Sequence, residues 1–110
     1  VFNCAAGKDR TGLVAMFVLS IVGVSDEIVV ADFELSNDGM DRLRKWAESH
    51  DSNLKARLGN APAAFLDADG RALADLMAAW RAEHGSIRNF AGSLGVSDAA
   101  MSRLETRLLD

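Results

Sequence analysis

Apolar residues recur at helical spacing along most of the chain after its first ten residues. Between Arg10 and Val22 they fall on nearly every side, which predicts a helix that is buried all round. The next predicted helix has Ser25 as its N-cap and ends near Asn37. The later predicted elements are a helix with Met40, Leu43 and Ala47 on one face, a polar loop with one helical turn over 51–60, a helix with Leu73, Leu76, Met77 and Trp80 that stops at Gly85, a short helix capped by Ser86, and a last helix opened by Ser97.

The first residues have a different pattern. Val1 to Cys4 is a short apolar run that predicts the end of a β-strand, and the next five residues form a compact loop around Gly7. No segment in the remainder of the chain has the pattern of a partner strand, and the first residue is not Met. We therefore expect the chain to be a piece of a longer protein whose upstream part carries further strands.

Composition narrows the class of protein. At 110 residues, the chain holds one domain at most. Twelve Lys and Arg against sixteen Asp and Glu give a net charge of −4, which argues against a uniformly basic nucleic-acid binder. A single cysteine excludes an internal disulfide and a multi-cysteine zinc site. The longest apolar stretch, 13–24, is shorter than the about 20 residues of a membrane span, so we expect a cytoplasmic protein, with secretion left open because the segment before Val1 is absent.

The candidate reactive residues lie in the segment from Cys4 to Arg10, which are separated by five residues. A loop of this length can turn its backbone N–H groups toward one centre, and the helix that begins near Arg10 adds its positive end there. A tetrahedral oxyanion fits such a centre, where a guanidinium can hold two of its oxygens. The same field lowers a cysteine pKa from about 8.5 into the range of roughly 3.5–7.5. Thr11 can donate its hydroxyl to the cysteine sulfur.

The stretch Asn3-Cys4-Ala5-Ala6-Gly7-Lys8-Asp9-Arg10-Thr11-Gly12 resembles the Cys-x5-Arg-Ser/Thr signature loop of cysteine-dependent protein tyrosine phosphatases, in the version found in the bacterial family. Segments 31–37, 84–87 and 95–98 also resemble that family. The resemblance implies an α/β phosphatase fold in the full protein, of which residues 1–110 are the C-terminal part of a single domain. This part is expected to be mostly helical, with one N-terminal strand that leads into the phosphate-binding loop.

The resemblance also implies a reaction. Cys4 attacks phosphorus and forms a cysteinyl-phosphate, Arg10 stabilises the phosphate charge, and Thr11 assists the sulfur. Neither metal nor cofactor is required. The expected substrate is a phosphotyrosine protein, with a phosphoinositide as the alternative. The residues expected to bind the phosphate are Ala5, Ala6, Gly7, Lys8, Asp9 and Arg10.

Several assignments stay open at this stage. Asp9 is the one carboxylate inside the loop and a candidate general acid, but it could instead pair with Lys8. The Lys8 side chain could bind a second phosphate or lie in solvent. Asn3 replaces the usual histidine, so the loop could belong to a phosphate-binding module with impaired catalysis. Asn37 is interpreted as a helix end and cap rather than a substrate contact.

A different class of protein is suggested by residues 87–104, whose apolar positions around Gly95 are typical of a helix-turn-helix DNA-binding unit. Segment 97–110 carries two arginines against three carboxylates, a poor match for DNA phosphates. We therefore expect a helical hairpin that packs on the rest of the chain, and no nucleic-acid partner.

Overall fold

The computed structural model describes residues 1–109, and this part of the chain is built from helices joined by short turns. The helices are α1 (Asp9–Ile21), α2 (Asp26–Glu34), α3 (Ser36–His50), α4 (Ser52–Asn60), α5 (Ala63–Leu66), α6 (Gly70–His84), α7 (Ile87–Ser93) and α8 (Asp98–Leu108).

The predicted N-terminal strand is wrong. Residues Val1 to Cys4 carry no strand, and no β-strand occurs anywhere in residues 1–109. A strand is stabilised by the ladder of hydrogen bonds to a neighbouring strand, and the described chain offers none. The expectation of an α/β fold with a strand leading into the loop is therefore corrected to an all-helical arrangement, whereas the expected predominance of helix is confirmed.

Other boundaries differ from the sequence pattern. The helix after Ser25 ends at Glu34, and a new helix begins at Ser36, so Asn37 lies in the first turn of α3 rather than at a helix end. Ser25 makes no side-chain capping hydrogen bond. The first helix is not buried all round, because Val14 is 46% exposed.

Segment 51–60 is a helix rather than a loop, and the short helix α5 was not predicted at all. The Asp51 carboxylate accepts hydrogen bonds from the backbone amides of Asn53 and Leu54, at 3.1 and 2.9 Å. Such a cap satisfies two of the amides that a helix start leaves free, which stabilises a segment whose apolar pattern is weak.

The core lies where α1, α2 and α6 meet. Met16, Val29, Leu73 and Met77 form its centre, together with Ile87 at the start of α7. Ile21, Ala91 and Met101 form a second cluster that packs α7 and α8 onto α1. The expectation that these two helices pack on the rest of the chain is thus confirmed, and an ion pair of 2.6 Å between Arg88 and Glu105 links them. The sequence correctly predicted the Ser86 and Ser97 caps and the turn at Gly85, whose φ is 82°.

An aromatic cluster closes the seam between these two parts of the core. The Trp80 ring lies 5.7 Å from that of Phe17 and 4.7 Å from that of Phe90. The second tryptophan, Trp46 on α3, is half exposed and stacks on His50 with a ring separation of 5.1 Å. The two tryptophans therefore lie in different surroundings.

Candidate active site

The loop of residues 4–8 turns directly into the first helix. Gly7 adopts a φ of 67°, a conformation that glycine tolerates without strain, and its amide donates to the Cys4 carbonyl at 3.3 Å. Ala5 and Ala6 form the exposed bend between these two residues. The start of α1 has no side-chain cap. The positive end of a helix therefore begins immediately beside the cysteine.

Cys4 lies at the centre of converging donors. Its own backbone amide donates to the Thr11 hydroxyl oxygen at 2.8 Å, which leaves the hydroxyl proton free for the sulfur. The hydrogen bond from the Thr11 hydroxyl is the main reason that the pKa of the Cys4 thiol is lowered to about 6. The backbone amides of Thr11, Lys8 and Gly7 lower this pKa further, against an opposing effect of burial. The sulfur is therefore mainly thiolate at pH 7.

Arg10 shares a surface hollow of about 230 Å³ with Cys4 and Thr11, and Phe2, Asn3 and Val14 complete its walls. Arg10 is exposed and, within residues 1–109, forms no ion pair. It is the one cationic side chain that lines this hollow. A free guanidinium beside a thiolate can donate hydrogen bonds to two oxygens of a tetrahedral anion. Three predicted site residues, Cys4, Arg10 and Thr11, are thus brought together.

Lys8 and Asp9 lie on a different side of the first helical turn. The Lys8 side chain is 1% exposed, and its ammonium donates to the Asp9 carboxylate and, at 3.1 Å, to the Asp67 carbonyl. The Lys8 side chain is therefore not a solvated surface group, although its backbone amide faces the Cys4 sulfur. The Asp9 carboxylate pairs with Lys8, which was the alternative interpretation of the sequence, and the Asp9 side chain is 61% exposed.

Asp9 lines a second, larger cavity of about 800 Å³ rather than the hollow that contains Cys4. Leu13, Phe33 and Leu73 contribute apolar walls, and Asp67 and Asp69 contribute carboxylates. The structure thus separates the candidate acid from the candidate nucleophile by the first turn of α1.

Sequence reasoning missed the connection that Asn37 makes. The Asn37 side chain accepts from the Ala68 amide at 2.7 Å and donates to the Ala68 carbonyl at 3.1 Å. Asn37 therefore holds the segment 67–69, which we call the α5–α6 connector. It does so through both backbone hydrogen-bonding groups of Ala68, which is buried. The available signal was weak: an asparagine near a helix start is more often a cap.

Gly12 permits a close approach of two helices. A Cβ atom at this position would lie 2.6 Å from Cδ2 of Phe33, which is too close for any side chain. The absence of a side chain at Gly12 therefore lets α2 pack closely against the helix that carries Arg10 and Thr11.

Other kinds of site have less support. In the described part of the chain, no group of three or more His, Cys, Asp or Glu side chains is placed to hold a metal ion. No helix of residues 1–109 has the length and apolarity needed to span a membrane.

A cysteine with a lowered pKa and an arginine six residues later, both in one hollow at the start of a helix, form an arrangement that is suited to binding an anion. The model of the tyrosine phosphatase family matches residues 1–110, and the chain belongs to that family. The resemblance drawn from the loop is thereby confirmed.

Two bacterial relatives match nearly the whole chain. The triple specificity protein phosphatase PtpB of Mycobacterium tuberculosis is 33% identical over 97% of this chain and 42% of its own length. A tyrosine-protein phosphatase of Nostoc commune is 30% identical over 98% of this chain and 38% of its own length. The chain thus spans less than half the length of these relatives.

Proposed function

We propose that the protein hydrolyses phosphate monoesters through a cysteinyl-phosphate on Cys4. The observation that carries this proposal is the hollow that Cys4, Arg10 and Thr11 line together at the start of a helix. Hydrogen bonds from the Thr11 hydroxyl and three backbone amides lower the pKa of the Cys4 thiol there. A low-pKa thiolate is a strong nucleophile, and the same amides and guanidinium suit the equatorial oxygens of a phosphoryl group under attack.

The reaction has two steps. In the first, the Cys4 thiolate forms a bond to phosphorus while the bond from phosphorus to the substrate oxygen breaks, and a carboxylic acid gives that oxygen its proton. In the second, the carboxylate takes a proton from a water molecule as that water attacks phosphorus, the bond between phosphorus and sulfur breaks, and Thr11 stabilises the returning thiolate by its hydroxyl hydrogen bond. Asp9 is the candidate acid because it is the one carboxylate between Cys4 and Arg10 in the sequence, although its side chain is paired with Lys8 and does not line the hollow that contains Cys4.

We propose phosphotyrosine in proteins as the substrate, with phosphoinositides as the alternative. Membership of the tyrosine phosphatase family favours the first. The triple specificity in the name of the mycobacterial relative keeps the second worth testing. Parallel assays with a phosphotyrosine peptide, a phosphoserine peptide and a phosphoinositide separate these substrate classes by their kcat/KM values.

We also propose that the 110 residues are part of a single phosphatase domain rather than all of one. They span 42% and 38% of the two relatives. Phe2 and Val14, which flank the hollow, are 53% and 46% exposed, so a further part of the domain would cover them. The isolated 110 residues should then aggregate more readily than the full-length protein, as measured by light scattering during heating. Equal behaviour of the two would contradict this proposal.

The mechanism is tested in the full-length protein with a phosphotyrosine peptide. Cys4→Ser should abolish turnover but retain phosphate binding, because the amides and Arg10 remain. Arg10→Ala should impair both, and Arg10→Lys should fail as well, since an ammonium cannot make the bidentate contact. Acid-quenched wild-type protein should carry phosphate on Cys4 during turnover. Substantial turnover by Cys4→Ser would refute the cysteinyl-phosphate mechanism.

A further inference from the structure

Lys8 is an unusual lysine because almost none of its side chain reaches solvent. Burial of an ammonium group is unfavourable unless hydrogen-bond partners replace the lost water. Lys8 has two such partners, the Asp9 carboxylate on its own helix and the Asp67 carbonyl in the α5–α6 connector. The second contact joins residues 59 positions apart in the chain, so it ties the phosphate-binding loop to a distant segment.

The connector is itself held in place from α3. Asn37 makes both of its hydrogen bonds to the backbone of Ala68, which is 3% exposed. Buried backbone groups need such hydrogen-bond partners. The Ala68 N–H and the Asp67 carbonyl belong to the same peptide group, so the side-chain amide of Asn37 also fixes the direction of the Asp67 carbonyl. Arg44, also on α3, adds a longer and more exposed contact of 3.4 Å to the Asp67 carboxylate. Surface ion pairs of this kind contribute little, so we assign the main effect to Asn37.

The other end of this path is the catalytic loop. The Lys8 backbone amide faces the Cys4 sulfur, while the Lys8 side chain is anchored to the connector. Lys8 therefore contributes both a backbone hydrogen-bond donor to the Cys4 sulfur and the side-chain contact that holds this donor in position. An ammonium already held by a carboxylate and a carbonyl is poorly placed to bind a substrate phosphate as well.

We propose that Lys8 and Asn37 are positioning residues for the phosphate-binding loop, acting along the path from Asn37 through the Ala68 and Asp67 backbone to the Lys8 side chain. Neither side chain touches the phosphate in this arrangement. Release of either end lets the loop relax, so the Lys8 amide no longer points at the sulfur or at a bound anion.

The experiment uses full-length Asn37→Ala and two readouts that require no turnover. The first is the pH dependence of Cys4 alkylation by iodoacetate, and the second is the dissociation constant of vanadate, a phosphate analogue, measured by isothermal titration calorimetry. Loss of one amide donor should raise the alkylation midpoint by about half a pH unit or more. Vanadate binding should weaken by about tenfold, the typical loss for one charge-assisted hydrogen bond.

Asn89→Ala is the matched control. Asn89 also donates its side-chain amide to a backbone carbonyl, that of His84 at 3.1 Å, but it lies on α7 away from the loop. Its loss should lower Tm while leaving the alkylation midpoint and vanadate binding unchanged. If Asn37→Ala behaves like Asn89→Ala in both readouts, Asn37 has only a structural role and the proposal is overturned.

Lys8→Met makes the same test from the other end and serves if Asn37→Ala fails to fold. It removes the ammonium and keeps the backbone amide, so both readouts should change in the same direction as for Asn37→Ala. The double variant should be no worse than Lys8→Met alone, because both act along one path, and additive losses would overturn the proposal. The inference rests on the proposed function only through phosphate binding by the loop. Turnover by Cys4→Ser would refute the mechanism, whereas unchanged alkylation and vanadate binding in Asn37→Ala and Lys8→Met would refute the positioning role alone.

Discussion

Replacement of Thr11 by valine should convert the reactive cysteine into a more ordinary one. Valine has nearly the shape of threonine but no hydroxyl, so Thr11→Val removes the hydrogen bond that contributes most to the lowered pKa of Cys4. The backbone amides of Gly7 and Lys8 stay in place. The pKa of the thiol should therefore rise above about 6 without returning fully to its ordinary value.

The size of the effect follows from the titration curve. With a pKa of about 6, half of the Cys4 thiols are thiolate at pH 6. A rise of one pKa unit would leave about one in ten, so alkylation at pH 6 should slow about fivefold. Under the proposed mechanism, the acid limb of kcat/KM should move upward by the same amount, because the Cys4 thiol must lose its proton before it can attack phosphorus.

The assay is iodoacetate alkylation of Cys4 between pH 4 and pH 10, followed by mass spectrometry; the range spans about two to four units on either side of the expected midpoint. Thr11→Ser is the matched control, since it keeps the hydroxyl and should keep the midpoint near the wild-type value. An alkylation midpoint in Thr11→Val equal to that of Thr11→Ser would refute the reasoning, because it would show that the hydroxyl does not stabilise the thiolate.

Three further predictions concern packing and the residue before the cysteine. Gly12→Ala should destabilise the fold by about 1–3 kcal/mol in denaturant unfolding, because its Cβ would overlap the Phe33 ring; full recovery of wild-type Tm by Phe33→Leu in the same chain would support this cause, and an unchanged Tm for Gly12→Ala would exclude it. Met77→Ala should cost about 2–5 kcal/mol, since Met77 is fully buried in the core, and a cost below about 0.5 kcal/mol would show that the core collapses around the cavity. Asn3→His should lower the alkylation midpoint of Cys4, because an imidazolium can donate to the Cys4 carbonyl as Asn3 does and also adds positive charge; a midpoint that stays the same or rises would show that Asn3 already supplies what histidine supplies.

The sequence was most informative where chemistry depends on residues close together in the chain. The spacing of Cys4, Arg10 and Thr11 predicted a shared anion site, and these three side chains do line one hollow. A loop of five residues that runs directly into a helix has few possible conformations, so the local sequence is enough to predict how its residues are arranged. The caps at Ser86 and Ser97 were predictable for the same reason.

Contacts between segments that are far apart in the sequence could not be predicted from the pattern of hydrophobic and polar residues. Lys8 looked equally suited to solvent or phosphate, because nothing near it in sequence reveals the Asp67 carbonyl that receives its ammonium. Asn37 looked like a cap, because its actual partner is 31 positions away. The strand expected at Val1 to Cys4 failed for a related reason: strand pairing is a property of two segments, and local apolarity describes only one.

The unequal surroundings of the two tryptophans give the molecule a built-in optical reporter. Trp80 lies between Phe17 and Phe90 in the seam between the two core clusters, whereas Trp46 lies on the surface against His50. Dissolved iodide should therefore quench the emission of Trp46 first and leave a blue-shifted signal from Trp80. Any event that opens the seam between α1, α6 and α7 will redden that residual emission, so the integrity of the helices behind the loop of residues 4–8 can be followed by fluorescence without a label.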